Sequence, residues 1–290
     1  MVKMGAPYRL ALYEKALPDH FNLKEKLILA KDMGYDSLEI CIDMNEQRQD
    51  RLNWTDETWQ KLKEFCEDEK IVLYSLSLSA LRGCPLGSND KEKVIKAFTM
   101  LEKALSIASH LDITTILVNA YDVYEEESTE ETQQRFIQNM KYFSTLAGDN
   151  QVVIAIENAE MPFADTGAKV NRLVEKIGSQ WVQIYYDFAN TFNALEANKK
   201  LIRNDFECCK NQIRRCHLKD SLPGDYRHVP YGKGHVDFEM IAELLAENSI
   251  SEFTAELFCP QGGNWESYSR GANVFLRSYL DVAFNKRNRK

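Results

Sequence analysis

Glu157 in "IAIEN", Asp187 in "IYYDF", His217 in "RCHLK" and Glu256 in "TAELF" each stand at the end of a short apolar run, spaced 30, 30 and 39 residues apart. Taken singly, a carboxylate in such a place can be solvated or paired with an arginine, and a histidine can be a core residue satisfied by one hydrogen bond. Gathered in one pocket, three carboxylates repel one another unless a cation sits among them, because burying unpaired charge is costly. Three oxygen donors and one imidazole suit Mn²⁺, Zn²⁺, Co²⁺ or Mg²⁺, and the lack of a thiolate in the set argues against a structural zinc. Cys216 precedes His217, so strand alternation turns it to the opposite face, where it packs rather than ligates.

For these four to meet, the elements carrying them must bring successive strand ends around one mouth. Apolar periodicity alternates between short β-rich runs and longer amphipathic stretches. Eight runs read as strands: 8–14, 37–43, 72–79, 114–120, 152–158, 182–189, 213–220 and 252–258. Between or after them, "NLKEKLILAKDMG", with Asn22 as cap and Gly34 as stop, "DKEKVIKAFTMLEKALSIASHLD" and "YSRGANVFLRSYLDVAF" read as helices. The acidic run 124–131 is expected to open a further helix, its carboxylates favoured by the helix dipole. Eight strand-then-helix units of roughly 30 to 40 residues predict a closed (β/α)8 TIM barrel, class α/β, as one domain over 1–290. A doubly wound open sheet would call for a Gly-rich turn after its first strand, and no GxGxxG follows "ALYE". The segment 221–238, with Pro and Gly throughout, is the longest loop and falls after strand seven, on the face where barrels build their sites.

The 290 residues include 36 basic and 44 acidic ones, a net charge of -8, which argues against nucleic-acid or anionic-membrane partners because these need a clustered positive footprint. The terminal "NKRNRK" reads as a solvated tail. No run approaches membrane-spanning length, and "MVKMGAPYRL" lacks the apolar stretch of a signal peptide, so a cytoplasmic protein is expected. Seven cysteines without a CxxC pair read as reduced, structural thiols.

The pieces "LALYEKALP", "LSLSALRGCPLGS", "YDVYEEESTEETQQRF" and "HLKDSLPGDYRHVPYGKGHVDF", with the four strand-end residues, closely resemble the L-ribulose-5-phosphate (L-xylulose-5-phosphate) 3-epimerases of the xylose-isomerase-like TIM-barrel superfamily. The resemblance implies that Glu157, Asp187, His217 and Glu256 ligate one divalent metal, with Glu157 and Glu256 also serving as acid and base. It further implies a homodimer and a place in carbohydrate metabolism at the pentose phosphate level, such as L-ascorbate degradation. The chain departs from the family's usual lysines at Leu222 and Arg227, and in "YDFAN" and "ELFCP", leaving the metal set intact.

Inverting C3 of a 2-ketose means removing a proton alpha to a carbonyl and returning one to the other face, so two bases on opposite sides are needed. A metal holding the substrate oxygens would act as Lewis acid on the developing cis-enediolate. A pentulose phosphate also needs a cationic grip, for which Lys219, Arg227, Lys233 and Arg82 are the candidates. Trp265 is a candidate substrate wall, and His228 and His235 sit in the strand-seven loop. The alternatives are a related ketose epimerase, an aldose-ketose isomerase with a second metal, and a non-catalytic sugar-phosphate binding protein.

Overall fold

Two-residue alternation within eight short strands sorts apolar side chains outward to the helices and a mixed set inward to the barrel axis. In the computed structural model, which describes residues 7–287, the strands are β1 (Arg9–Tyr13), β2 (Ser37–Cys41), β3 (Ser75–Ser77), β4 (Thr115–Asn119), β5 (Val153–Glu157), β6 (Val182–Asp187), β7 (Ile213–Leu218) and β8 (Glu252–Ala255). They close in sequence order into a parallel barrel, with β1 pairing β8 from Arg9↔Glu252 to Leu12↔Ala255, so no sheet edge is left open.

All eight predicted strands are present, each shorter than its apolar run, because the flanking residues turn into the mouth or the floor. The segment read for a signal peptide includes residues 1–6, and the basic tail ends in residues 288–290; both lie outside the described residues. No described helix is long and apolar enough to cross a membrane.

The helices are α1 (Leu23–Asp32), α2 (Glu46–Gln49), α3 (Asp56–Asp68), α4 (Lys91–His110), α5 (Glu130–Asp149), α6 (Gly167–Ile177), α7 (Phe188–Ala194), α8 (Lys199–Cys209), α9 (Phe238–Glu247) and α10 (Trp265–Arg287). Asn22 caps α1 in a reciprocal capping box with Glu25, and Gly34 follows its end at φ 85°, a conformation glycine adopts without a Cβ penalty. The acidic run 124–131 enters a helix later than expected. Thr129 is the cap, so only Glu130 and Glu131 stand in the first turn of α5. Residues 124–128 are loop, held in part by Glu126 accepting the Asn89 N–H at 2.8 Å.

Leu38, Ile40, Leu76, Ile116, Ile154, Ile156, Ile184, Cys216 and Phe253 belong to the large core between barrel and helices. The alternate positions point inward, where Leu117, Ala155 and Tyr185 make a separate small cluster. At the floor, Arg215 is buried, its Nη2 2.9 Å from Glu252 and its guanidinium 5.4 Å from the Tyr74 ring. All seven cysteines are free, and Cys216 lies in the outer core as alternation predicts.

Candidate metal centre and active site

The alternation that sends Ile156, Tyr186 and Cys216 outward sends Glu157, Asp187 and His217 inward at the ends of three consecutive strands. Register places Asp187 opposite His217, and His217 opposite Thr254 on β8. Glu256 lies just past β8, its N–H still donating to Leu218 C=O at 2.9 Å, which carries its side chain to the same mouth. One donor atom from each of Glu157, Asp187, His217 and Glu256 lies within 4.8 Å of all the others. Donors about 2.0–2.3 Å from a shared divalent cation are separated by up to roughly 4.6 Å, so the four match the size of a single-ion site.

The donor set already draws in one cation. Buried Lys219 Nζ lies 2.7 Å from both Asp187 Oδ2 and Glu256 Oε2, an ammonium held by the carboxylates that would share a metal ion.

Asparagines hold these carboxylates in place. Asn158 Oδ1 accepts the Asp187 N–H at 2.8 Å and its Nδ2 donates to Asp187 C=O at 2.9 Å, while Asn190 Nδ2 returns to Asn158 C=O at 2.7 Å. The ends of β5 and β6 are thereby stapled together. Asp187 also caps α7 by accepting the Asn190 N–H at 2.8 Å, and Asn119 at the end of β4 donates to Glu157 Oε2.

Crowding of charge pushes the two glutamates in opposite directions. Burial, with Glu256 and Asp187 close by, raises the Glu157 carboxyl to about 7 against the pull of His217. Burial also acts on Glu256, but Lys219 and His217 outweigh it and hold that carboxyl down at about 2. Burial raises Asp187 against the attraction of Lys219. Burial would depress His217, yet the carboxylates of Glu157, Glu256 and Glu39 raise it well above the ordinary imidazole value.

The expected phosphate ligands separate in space. Arg82 and Arg227 line the cavity over the four donors, and so does Lys15, which the sequence did not single out. Arg82 Nε is buried without a hydrogen-bond partner, and Arg227 Nη2 pairs with Glu160 at 2.7 Å. Lys219 also lines the cavity, but between the carboxylates of Asp187 and Glu256 rather than at the rim. Lys233 is exposed and outside this lining. Trp265 instead packs edge-on to Phe21 at 5.4 Å, and the aromatic groups lining the cavity are Tyr13, Tyr121, Tyr226 and Phe258. His235 turns to Ser221 Oγ at 3.2 Å, and His228 packs near Phe258, with ring centroids 6.0 Å apart.

Lys15 stands on a buried ionic frame. Its Nζ is 3.0 Å from Asp43, which also binds Arg48. The preceding Glu14 is fully buried and accepts from Arg51 Nη1 and Nη2 at 2.5 and 2.7 Å, from Lys26 at 3.1 Å and from the Cys41 N–H at 2.9 Å. Burial alone would raise the Glu14 carboxyl, but Arg51 and Lys26 bring it down to about 2.

The strand-seven loop hangs on one side chain. Asp220 accepts the N–H groups of Ser221 at 2.9 Å, Gly232 at 2.9 Å, Gly234 at 2.8 Å and Val236 at 3.3 Å. A Cβ at Gly234 would fall 2.1 Å from Asp220 Oδ1 and 2.3 Å from Ser221 C=O, so only glycine lets the backbone approach this closely.

Two larger clefts, of about 390 and 490 Å³, open elsewhere on the surface, but neither holds the four converging donors. A barrel with a carboxylate-rich, imidazole-containing centre at the C-terminal ends of its strands defines a class, and sequence comparison agrees. The model of the xylose isomerase-like TIM barrel family matches residues 27–279, and the chain belongs to that family. Within it, the chain is 33% identical over 239 residues to the L-ribulose-5-phosphate 3-epimerase UlaE of Escherichia coli, covering 82% of this chain and 83% of that protein. Among solved structures, a D-psicose 3-epimerase crystallised in the presence of D-fructose superposes with a TM-score of 0.78 at 18% identity, covering 94% of this chain and 99% of its own. An L-ribulose 3-epimerase superposes at 0.77 with 15% identity, covering 97% and 96%. At those identities the structural likeness speaks to the fold.

Proposed function

We propose that this chain is a metal-dependent 3-epimerase interconverting L-ribulose 5-phosphate and L-xylulose 5-phosphate. The observation that carries the reading is the convergence of Glu157 and Glu256, from strands three apart around the barrel, with Asp187 and His217 between them. Glu157, Asp187, His217 and Glu256 would hold one divalent ion such as Mn²⁺, Zn²⁺ or Co²⁺, which when bound supplies Lewis-acid polarisation of the C2 carbonyl. One glutamate takes the C3 proton from its face of the sugar and the other delivers a proton to the opposite face; in the reverse direction they exchange roles. Each such positioned group contributes about 10² to 10⁴ in rate.

Lys219, ion-paired with both Asp187 and Glu256, balances part of the negative charge, and Asn119 orients Glu157. Arg82, Arg227 and Lys15 are the rim cations positioned to take the phosphate. Arg227 and Glu160 pair at 2.7 Å in the lining of the cavity, so a phosphate taken by Arg227 competes with that carboxylate. A cytoplasmic homodimer is part of the proposal, its assembly checked by light scattering.

The test is proton NMR of both ketose phosphates in D₂O with the protein and added Mn²⁺ or Zn²⁺. Loss of the C3 proton signal with appearance of the other epimer is expected, and exchange at C1 or C4 without exchange at C3 would overturn the assignment. Glu157→Gln and Glu256→Gln should each lose epimerisation by about 10² to 10⁴ while keeping bound metal. Near-normal turnover in either variant would remove that glutamate from the proton transfer.

A further inference from the structure

His217 is bonded at both ring nitrogens, and the two partners lie on opposite sides of the ring. Nδ1 faces the donor cluster, 2.5 Å from Glu157 Oε1 and 3.6 Å from Glu256 Oε2. Nε2 faces down the barrel axis and meets Glu39 Oε1 at 2.7 Å. Glu39 comes from the middle of β2 and is fully buried, inside the barrel beneath the mouth. Its other oxygen accepts from Ser75 Oγ at 2.5 Å, Tyr185 Oη at 2.7 Å and Thr254 Oγ1 at 3.3 Å.

Four donors, supplied by β3, β6, β7 and β8, thus surround one carboxylate from β2. An ionised carboxylate has about four acceptor sites and no donor, so this shell fills its capacity and obliges Nε2 to carry the hydrogen. Among the described residues, the charged partner of Glu39 is His217. A buried anion served by hydroxyls and one imidazole is costly unless the imidazole gains from it. The ring is also fixed in angle, because Tyr185, which donates to Glu39, packs on it with centroids 4.6 Å apart.

We propose that Glu39 is a positioning residue for the metal centre: by accepting Nε2–H it selects the His217 tautomer whose Nδ1 lone pair points at Glu157, Asp187 and Glu256, and it strengthens that nitrogen as a ligand. The inference rests on the metal-centre reading above and adds a fifth residue, one that touches neither metal nor substrate. Hydrogen-bonded carboxylates behind a ligating histidine typically account for about 10- to 100-fold in metal affinity.

The experiment measures Zn²⁺ affinity of metal-stripped wild type and of Glu39→Gln by competition with a chromophoric chelator, alongside the thermal stability of each metal-free protein. Zinc affinity about 10- to 100-fold weaker in the folded variant is expected. A residue that merely fills the barrel would change the melting temperature and leave the affinity of the folded protein alone, and that result overturns the proposal. Wild type that binds no zinc overturns the metal centre itself, and this inference with it. Should Glu39→Gln not fold, ¹⁵N NMR of the His217 ring in zinc-loaded wild type decides: protonated Nε2 with metallated Nδ1 supports the assignment, and metallated Nε2 overturns it.

Discussion

Replacing Glu14 by Gln removes one charge from the frame behind Lys15 while preserving shape. In the folded protein this carboxyl titrates at about 2, against an ordinary value of 4.5, because Arg51 and Lys26 face it without competing water. That gap is worth roughly 3 kcal/mol of stability at neutral pH. The sign follows from the folded value being the lower one: the contribution is complete above the unfolded value, and it drains away as pH falls from there toward about 2.

At pH 3.5 roughly 2 kcal/mol should remain. At pH 7 the variant should be less stable than wild type by about 3 to 5 kcal/mol, since Arg51 and Lys26 are left buried against a neutral amide. The difference should narrow by about 1.4 kcal/mol at pH 3.5, where the unfolded wild-type chain has largely protonated this group while the folded protein still holds it ionised. Urea unfolding followed by tryptophan fluorescence, with chelator present so that metal release does not enter, measures both gaps. A difference that stays constant across this range would refute the reasoning, for it would mean that the Glu14 charge is not what the arginine and lysine stabilise.

Arg227→Ala should raise KM for a phosphorylated ketose more than for the free sugar, and equal effects on both would remove Arg227 from phosphate recognition. Gly234→Ala should destabilise by about 1 to 3 kcal/mol or displace the loop, read as a lower melting temperature and faster proteolysis between residues 221 and 237, because its Cβ meets Asp220 and the Ser221 carbonyl head-on.

The barrel was legible because a strand-helix alternation repeated eight times leaves few other ways to bury its apolar faces, and the boundaries were not, because apolar runs continue past the last ladder bond. Glu157, Asp187, His217 and Glu256 could be picked out since each ends a run and the runs are one repeat apart. Glu39 is also an acidic residue inside an apolar run, "SLEIC", but no spacing relates it to His217, which lies 178 positions away. Lys219, expected at the phosphate, lies two residues beyond His217, and period two aims both side chains into the mouth. Its neighbours there are carboxylates, which makes it a counter-charge first. Lys233 and the Arg227–Glu160 pair sit in loops, where no periodicity states which way a side chain points. The late start of α5 has a local cause, since Thr129 caps it in a reciprocal capping box with Thr132.

Because a single carboxylate gathers four amides of the strand-seven loop, that loop can be treated as a cassette. The anchor points are Asp220 at its base and Gly232, Gly234 and Val236 on its return, while Leu222 through Pro230 make none of the bonds to Asp220. A library that randomises the outer residues and keeps the anchors should retain the barrel's fold while reshaping one wall of the cavity, where Tyr226 and Arg227 stand.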